Sequence, residues 1–273
     1  MKSKNIVFMP AVVIPGLESR SIPYKYGIES WKRWCAKNDA ELVVMDQLLC
    51  PAEEMKITWQ RYYAMDVLEN SGIDYEQVLI TDADCIIHPD TPNFFNMTEG
   101  KYTVARAIGS MDWICRSMEN YSKHMFNNNT FDIFKYFCGG FQITNKSQKH
   151  IWKGYIEYYL NNKEMIQQMQ KTFGVGTDQP IINHLTHSSK EELTYLPYEY
   201  CAVDLHRFEI LDKELTFTDC FPGIYQFNAI PDNHDARWTN YFMEQTFKKS
   251  MAEMIDYMSN NGLKIKPLPK VKI

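Results

Sequence analysis

A chain of 273 residues that is 45% hydrophobic and 14% aromatic can bury one sizeable core, which excludes wholesale disorder. Its net charge of -5 argues against a general nucleic-acid binder. Seven cysteines (Cys35, Cys50, Cys85, Cys115, Cys138, Cys201, Cys220) are scattered without a Cys-x-x-Cys pair, so a zinc ribbon and a redox dithiol are not expected, and the reading is a reduced, cytoplasmic chain.

Lysines ahead of an apolar run at 6–17 resemble a secretory leader. Pro10 and Pro15 interrupt that run, so residues 5–14 are expected as the first strand instead. No uninterrupted apolar stretch reaches the ~18 residues that a membrane span needs. The loop at 15–23 carries Arg20. A helix is expected at 24–38, with Tyr24, Ile28, Trp31 and Cys35 on one buried face, then a second strand at 41–45. Residues 51–68 read as a second helix with Trp59, Tyr63 and Val67 on one stripe; Lys56 and Arg61 lie on it, and Ser71-Gly72 ends it. The uncharged run Val78, Leu79, Ile80 fits a buried parallel strand. The opening third of the chain is therefore βαβαβ, the pattern of a parallel sheet with helices on its faces.

Further elements are expected as a strand at 102–107 carrying Arg106, an aromatic and Asn-rich loop or lid at 111–130, and a glycine-broken strand at 137–144. A long helix at 148–171 follows, and another opens at Thr177-Asp178-Gln179-Pro180, with Thr177 as cap and Pro180 in the first turn. Strands are expected at 193–203 and 223–230. An amphipathic helix at 241–258 leads into a tail with Lys264, Lys266, Lys270 and Lys272. That tail fits a solubilising end, and it also offers peripheral contact with an anionic membrane. The organisation is one domain at 1–240 followed by the C-terminal helix and lysine tail at 241–273.

The chemistry centres on Asp82 and Asp84, placed where the third strand ends. Open α/β sheets bind ligands at that carboxyl edge. If the segment stays extended, both side chains point the same way and repel each other unless a cation lies between them or one keeps its proton. Mg²⁺ or Mn²⁺ suits such oxygen ligands, together with phosphate oxygens of a substrate.

Four features then occur in order: Asp82-x-Asp84, Cys138-Gly139-Gly140, Thr177-Asp178-Gln179-Pro180-Ile181-Ile182-Asn183, and a late Tyr225-Gln226-Phe227-Asn228 before His234. This order resembles the GT-A fold nucleotide-sugar glycosyltransferases, nearest the retaining glycogenin-like and lipopolysaccharide galactosyltransferase-like group. The resemblance implies an α/β fold with a mostly parallel central sheet flanked by helices. It implies a metal-dependent transfer of a sugar from a UDP- or GDP-sugar donor to a hydroxyl on a glycan, lipid or protein, with retention. By the same resemblance, Asp84 and Asp82 hold Mn²⁺ or Mg²⁺, Asp82 also meeting the donor. Gly139 and Gly140 let backbone approach the sugar, and Asp178 and Gln179 are the catalytic residues beside the anomeric carbon. Arg20, Arg61 and Arg106 are donor-binding candidates. The sequence departs from the group at the late metal-binding His: His234 is the expected third ligand, with Gln226 as alternative. Two other readings stay open, a haloacid dehalogenase-type phosphatase with Asp82 as nucleophile and Asp84 as proton shuttle, and a non-catalytic nucleotide- or glycan-binding relative.

Overall fold

The structure, a computed structural model, describes residues 4–107, 111–174, 176–189, 191–202, 223–228 and 236–260. Its first half follows the expected order: β1 (Lys4–Pro10), α1 (Tyr24–Lys37), β2 (Ala40–Met45), α2 (Ile57–Gln60), α3 (Ala64–Asn70) and β3 (Tyr75–Thr81). Then come β4 (Cys85–Ile87), β5 (Tyr102–Arg106), α4 (Met111–Met125), β6 (Phe137–Asn145), α5 (Lys149–Phe173), α6 (Gln179–Ser188), β7 (Leu193–Tyr195), β8 (Cys201–Ala202), β9 (Ile224–Gln226) and α7 (Arg237–Asn260).

Six strands form the main sheet in the order β2-β1-β3-β6-β5-β7. All run in one direction except β6, which is antiparallel to both β3 and β5. The central, mostly parallel sheet flanked by helices is therefore the one expected. Its apolar runs feed two cores by simple alternation. Ile6, Phe8, Val78 and Ile80 face Trp59, Tyr62, Trp152 and Tyr155, while Val7, Met9 and Leu79 face Trp31, Trp34 and Phe94. With both faces covered, these strands tolerate no charge, and truncating one of the fully buried tryptophans is expected to cost about 3–5 kcal/mol.

Pro10 closes β1 earlier than residue 14. The helix expected at 51–68 is broken: α2 begins only at Ile57, and a 3-10 turn at Arg61–Tyr63 separates it from α3. Gln60 explains the late start. Its fully buried carboxamide takes the Leu49 N–H and gives hydrogen bonds to the Cys50 and Met55 carbonyls, satisfying backbone that a longer helix would have paired itself. The segment 111–130 is no loop, because α4 occupies Met111–Met125 and buries Ile114, Ser117, Met118, Tyr121 and Ser122 at helical spacing. Asn127 and Asn128, at φ 52° and 62°, turn the chain after it. Residues 193–203 hold two short strands, since Pro197 cannot donate to a ladder and a 3-10 turn at Tyr198–Tyr200 follows.

After β3 the chain leaves the main sheet. β4 pairs with β9 in a second, three-stranded sheet ordered β4-β9-β8, with Cys85 opposite Gln226. The turn between β3 and β4, residues 82–84, thus joins the two sheets. α7 starts at Arg237 rather than at 241, and through Met243, Phe242 and Phe247 it packs on Ile86, Tyr225, Phe227 and Tyr26 of α1. The tail lysines lie outside the described residues, as do Val203, Ala229 and Ile230 of the expected strands. Among the described residues no helix is long and apolar enough to cross a membrane.

Candidate functional site

Because β6 is antiparallel, its N-terminal end lies beside the C-terminal ends of β3 and β5. Thr81 faces Phe141 and Arg106 faces Phe137 across the ladders. The Asp82–Asp84 turn, Gly139, Gly140 and the start of α6 therefore meet at one sheet edge, around a cleft of about 580 Å³.

Arg61 organises the charges. The 3-10 turn rotates Arg61 and Tyr62 inward, so that the guanidinium is only 5% exposed. Its Nη1 donates to Asp82 Oδ1 at 2.8 Å and to the Gly139 carbonyl at 3.1 Å, its Nε donates to the Thr58 carbonyl, and Nε lies 3.7 Å from Asp178 Oδ2. Burial works against its charge, but Asp82 and Asp178 outweigh burial and raise its pKa. Asp82 Oδ2 accepts from Gln226 Nε2 at 3.3 Å. Asp178 is 3% exposed; its Oδ1 accepts from the Thr177 hydroxyl at 2.7 Å and its Oδ2 from the Tyr62 hydroxyl at 2.8 Å. Asp178, not Thr177, occupies the cap position of α6, and its side chain makes no capping bond. Gln179 Oε1 accepts the Gly139 N–H at 2.9 Å, which ties the start of α6 to β6.

The carboxylates of the turn are not extended neighbours: residues 82–84 form a turn, and the Cys85 N–H bonds to the Asp82 carbonyl at 3.3 Å. Burial, then the Asp82 charge, raises Asp84 to about 7. Burial raises Asp82 too, against the pull of Arg61. Two glycines make the crowding possible. A Cβ on Gly140 would overlap the Asp82 carboxylate, with Cγ at 2.8 Å. A Cβ on Gly27 of α1 would collide with the Ala83 carbonyl and sit 3.0 Å from that of Cys85, so α1 can lie directly on the turn only as glycine.

Asp82, Asp84, Arg61, Gly139, Gly140, Asp178, Gln179 and Gln226 are thus brought together around one cleft. Arg20 is exposed beyond its β1 side, near Tyr24, whose phenol is raised to about 12 by burial and by Asp84 and Asp82. Arg106 is not in the cleft: it lies 4.5 Å from the Tyr195 ring centroid and donates to the Phe134 carbonyl, on the far side of β5. His234 lies outside the described residues. Of the aromatics in 111–130, Tyr121 is buried and the His124 ring lies tilted against that of Phe173, while Trp113 reaches the cleft. Tyr62 was not expected in the site. Its signal was adjacency to Arg61, hidden by reading the segment as one regular helix.

No protein-family model and no curated protein matches the sequence. Among solved structures, the chain is similar to a glycosyltransferase involved in glycosylation of the major capsid of PBCV-1, with TM-score 0.56 and 11% identity over 88% of this chain and 98% of that one. The glycosyltransferase GlyE of Streptococcus pneumoniae TIGR4 aligns with TM-score 0.49 and 15% identity over 100% of this chain and 67% of that one. The first likeness establishes a fold shared with a glycosyltransferase.

Proposed function

We propose that the protein is a glycosyltransferase of the GT-A type, moving a sugar from a nucleoside-diphosphate donor to a hydroxyl acceptor with retention. The observation that carries this reading is the Asp82–Asp84 turn at the carboxyl end of β3, facing a glycine at 140 that leaves room for nothing larger. The shared fold supports it.

The charge balance of the cleft asks for a cation. Asp82, Asp84 and Asp178 outnumber Arg61 and Lys56 along its lining, so an anionic diphosphate would be repelled if it came alone. Asp84 and Asp82 supply hard oxygen donors that fit Mg²⁺ or Mn²⁺. Among the described residues no third His, Cys, Asp or Glu joins them, which leaves the Gln226 amide oxygen, His234, water and substrate phosphates for the remaining positions. Such a cation supplies Lewis-acid neutralisation of the departing diphosphate.

The chain's own groups do the rest. Gly140 leaves room for the Asp82 carboxylate and Gly139 for the start of α6, and Gln179 is fixed at the cleft, where the donor sugar would lie, by its bond to the Gly139 N–H. The bond from the anomeric carbon to the phosphate oxygen breaks with its electron pair going to the diphosphate. The acceptor oxygen forms the new bond, and its proton passes to a phosphate oxygen. Asp178 is poorly placed to take that proton, since both of its oxygens already accept hydrogen bonds. This favours the front-face, retaining course. The phosphatase reading asks Asp82 to attack phosphorus, and the charge-assisted bond from Arg61 to its Oδ1 weakens it as a nucleophile while leaving lone pairs for a cation.

The test is thermal denaturation with UDP or GDP, with and without Mn²⁺, followed by donor turnover. A nucleotide at about a hundred times its Kd adds about 2.7 kcal/mol, a readily measured rise in Tm. The rise is expected only with metal present, together with slow hydrolysis of the matching donor. Absence of any shift would overturn the reading, fast phosphate release from a monoester would favour the phosphatase, and binding without turnover of any donor would favour a non-catalytic relative.

A further inference from the structure

The sheet edge is a ruler. Its order β1-β3-β6-β5 sets four stations in line: the loop after β1 with Arg20 and Tyr24, the Asp82–Asp84 turn, Gly139 and Gly140, and beyond them Ala107 and Trp113 past the end of β5. The chain passes from β1 to β2 on one side and returns to β3 on the other, so the β1/β3 crevice is the switch point where open α/β sheets take nucleotides. On the glycosyl-transfer reading, the nucleoside end of the donor then lies by Tyr24, the diphosphate at the carboxylate turn and the sugar at the station of Gly139, Gly140 and Gln179. The next station in the same direction belongs to whatever receives the sugar.

That station holds an unusual side chain for this molecule. Of its six tryptophans, Trp31, Trp34, Trp59 and Trp152 are at most 1% exposed, Trp238 is 44% exposed on α7, and Trp113 lines the cleft. Trp113 is half-buried against the cluster of Ala107, Ile114, Met118, Tyr136 and Cys138. Polar groups share the cleft with it: Lys56 Nζ donates to Gln170 Oε1 at 2.9 Å, and Gln170 Nε2 donates to the Thr177 carbonyl at 3.2 Å. A flat apolar surface in one cleft with an ammonium and a carboxamide matches a pyranose, which has one face of C–H groups and a rim of hydroxyls. An extended acyl chain would match the ring but not the polar pair.

We propose that Trp113 is the platform of an acceptor subsite and that the acceptor is a sugar ring, its C–H face on the indole and its hydroxyls toward Lys56 and Gln170.

Saturation-transfer NMR with a panel of methyl hexopyranosides, in the presence of UDP, or of GDP in its place, and diamagnetic Mg²⁺, tests this without requiring turnover. The wild-type protein is expected to saturate the ring protons of one glycoside face and also UDP. Trp113→Ala should weaken the glycoside about tenfold or more and leave the UDP signal intact, with Trp113→Phe between the two. Far-UV circular dichroism of each variant checks that it is folded, and the Phe variant keeps the apolar packing if the Ala variant is not. Equal glycoside signals in wild type and Trp113→Ala would overturn the platform, as would UDP binding to wild type with no glycoside signal; the transfer reading survives both. Loss of UDP in Trp113→Ala would move the indole to the donor side and overturn the proposal. Glycoside binding without nucleotide binding would keep the platform and sink the transfer reading, and absence of both would sink the two together.

Discussion

The cleft has two acidic walls, and they are wired differently. On the α6 side, Asp178 accepts hydrogen bonds on both oxygens, from Thr177 and Tyr62, with Arg61 3.7 Å away. On the β3–β4 side, Asp84 accepts a long bond from the Cys85 thiol at 3.7 Å, and among the described residues no cationic side chain lies within ion-pair distance of it. A buried carboxylate is tolerated when the protein supplies its donors, and costs stability when it does not. Asp178 is therefore satisfied by the fold, with Thr177, Tyr62 and Arg61 gathered around it. Asp84, half-buried, has only the Cys85 thiol and its own backbone as donors and keeps acceptor capacity for a ligand. Asp82 stands between them, one oxygen on Arg61 and the other facing Gly140.

Adding one methyl group to each wall separates them most sharply. In Gly140→Ala the new Cβ overlaps the Asp82 carboxylate, and β6 cannot retreat because β3 and β5 hold it on both sides. Asp82 must swing away from Arg61, and nucleotide binding with metal is expected to fall at least about a hundredfold. In Gly139→Ala the nearest atoms are Asp178 Oδ2 and Gln179 Cβ at 3.3 Å, which need give only slightly, and the loss is expected to stay within about tenfold. Isothermal titration of both variants measures the ratio. A larger loss at 139 than at 140 would break the comparison.

Protonation separates the walls next. Asp84 titrates near 7 in the folded chain, above the ordinary carboxylate range near 3.9. A raised folded pKa contributes stability that is full below the unfolded value and is lost as pH rises through the folded one. Without divalent metal, Tm is therefore expected to fall between about pH 4 and pH 7, and Asp84→Asn should flatten that slope. Mn²⁺ affinity should rise across the same window, because the proton must leave before the metal binds, and should be lost in Asp84→Asn. Calorimetry at several pH values with and without EDTA checks both. An unchanged slope in the variant would mean that the charge on this wall is not the one titrating.

The βαβαβ opening, the Asp pair and the glycine turn could all be read in the chain because each rests on local signals: an uncharged β-branched run, a strand end, a small-residue pair. Arg61 and Asp178 also could be named, but not their partnership, because it depends on a 3-10 turn that rotates Arg61 from an expected helix surface into the core. Arg106 shows the converse. Its place at the end of β5 is as expected, yet strand alternation sends it to Tyr195 rather than to the cleft. The 111–130 segment was misread because its aromatic and Asn content outweighed a helical period that is clear once Ile114, Met118 and Tyr121 are aligned. Trp113, in the same segment, therefore lies on a helix and not in a loop.

The smallest change tests how the satisfied wall is kept satisfied. Tyr62 is 2% exposed, and its hydroxyl both donates to Asp178 Oδ2 and accepts from Gln142 Nε2 at 3.2 Å. Gln142 in turn donates to the Gly139 carbonyl at 2.8 Å and accepts from Tyr102 and Trp152, so one buried chain of hydrogen bonds links Asp178 to β6 and α5. Tyr62→Phe keeps the ring packed against Trp152 and Tyr155 and removes only the hydroxyl. Asp178 then keeps Thr177 and the more distant Arg61, and Gln142 loses one of its two acceptors. The expected cost is about 1–3 kcal/mol of stability, because the groups left behind stay buried. Nucleotide affinity should change only a few-fold, since Asp84 and Gly140 are untouched. Denaturant titration gives the first number and calorimetry the second. An affinity loss matching that of Gly140→Ala would mean that the two walls act as one network, with the Tyr62 hydroxyl setting the position of Asp82 through Asp178 and Arg61.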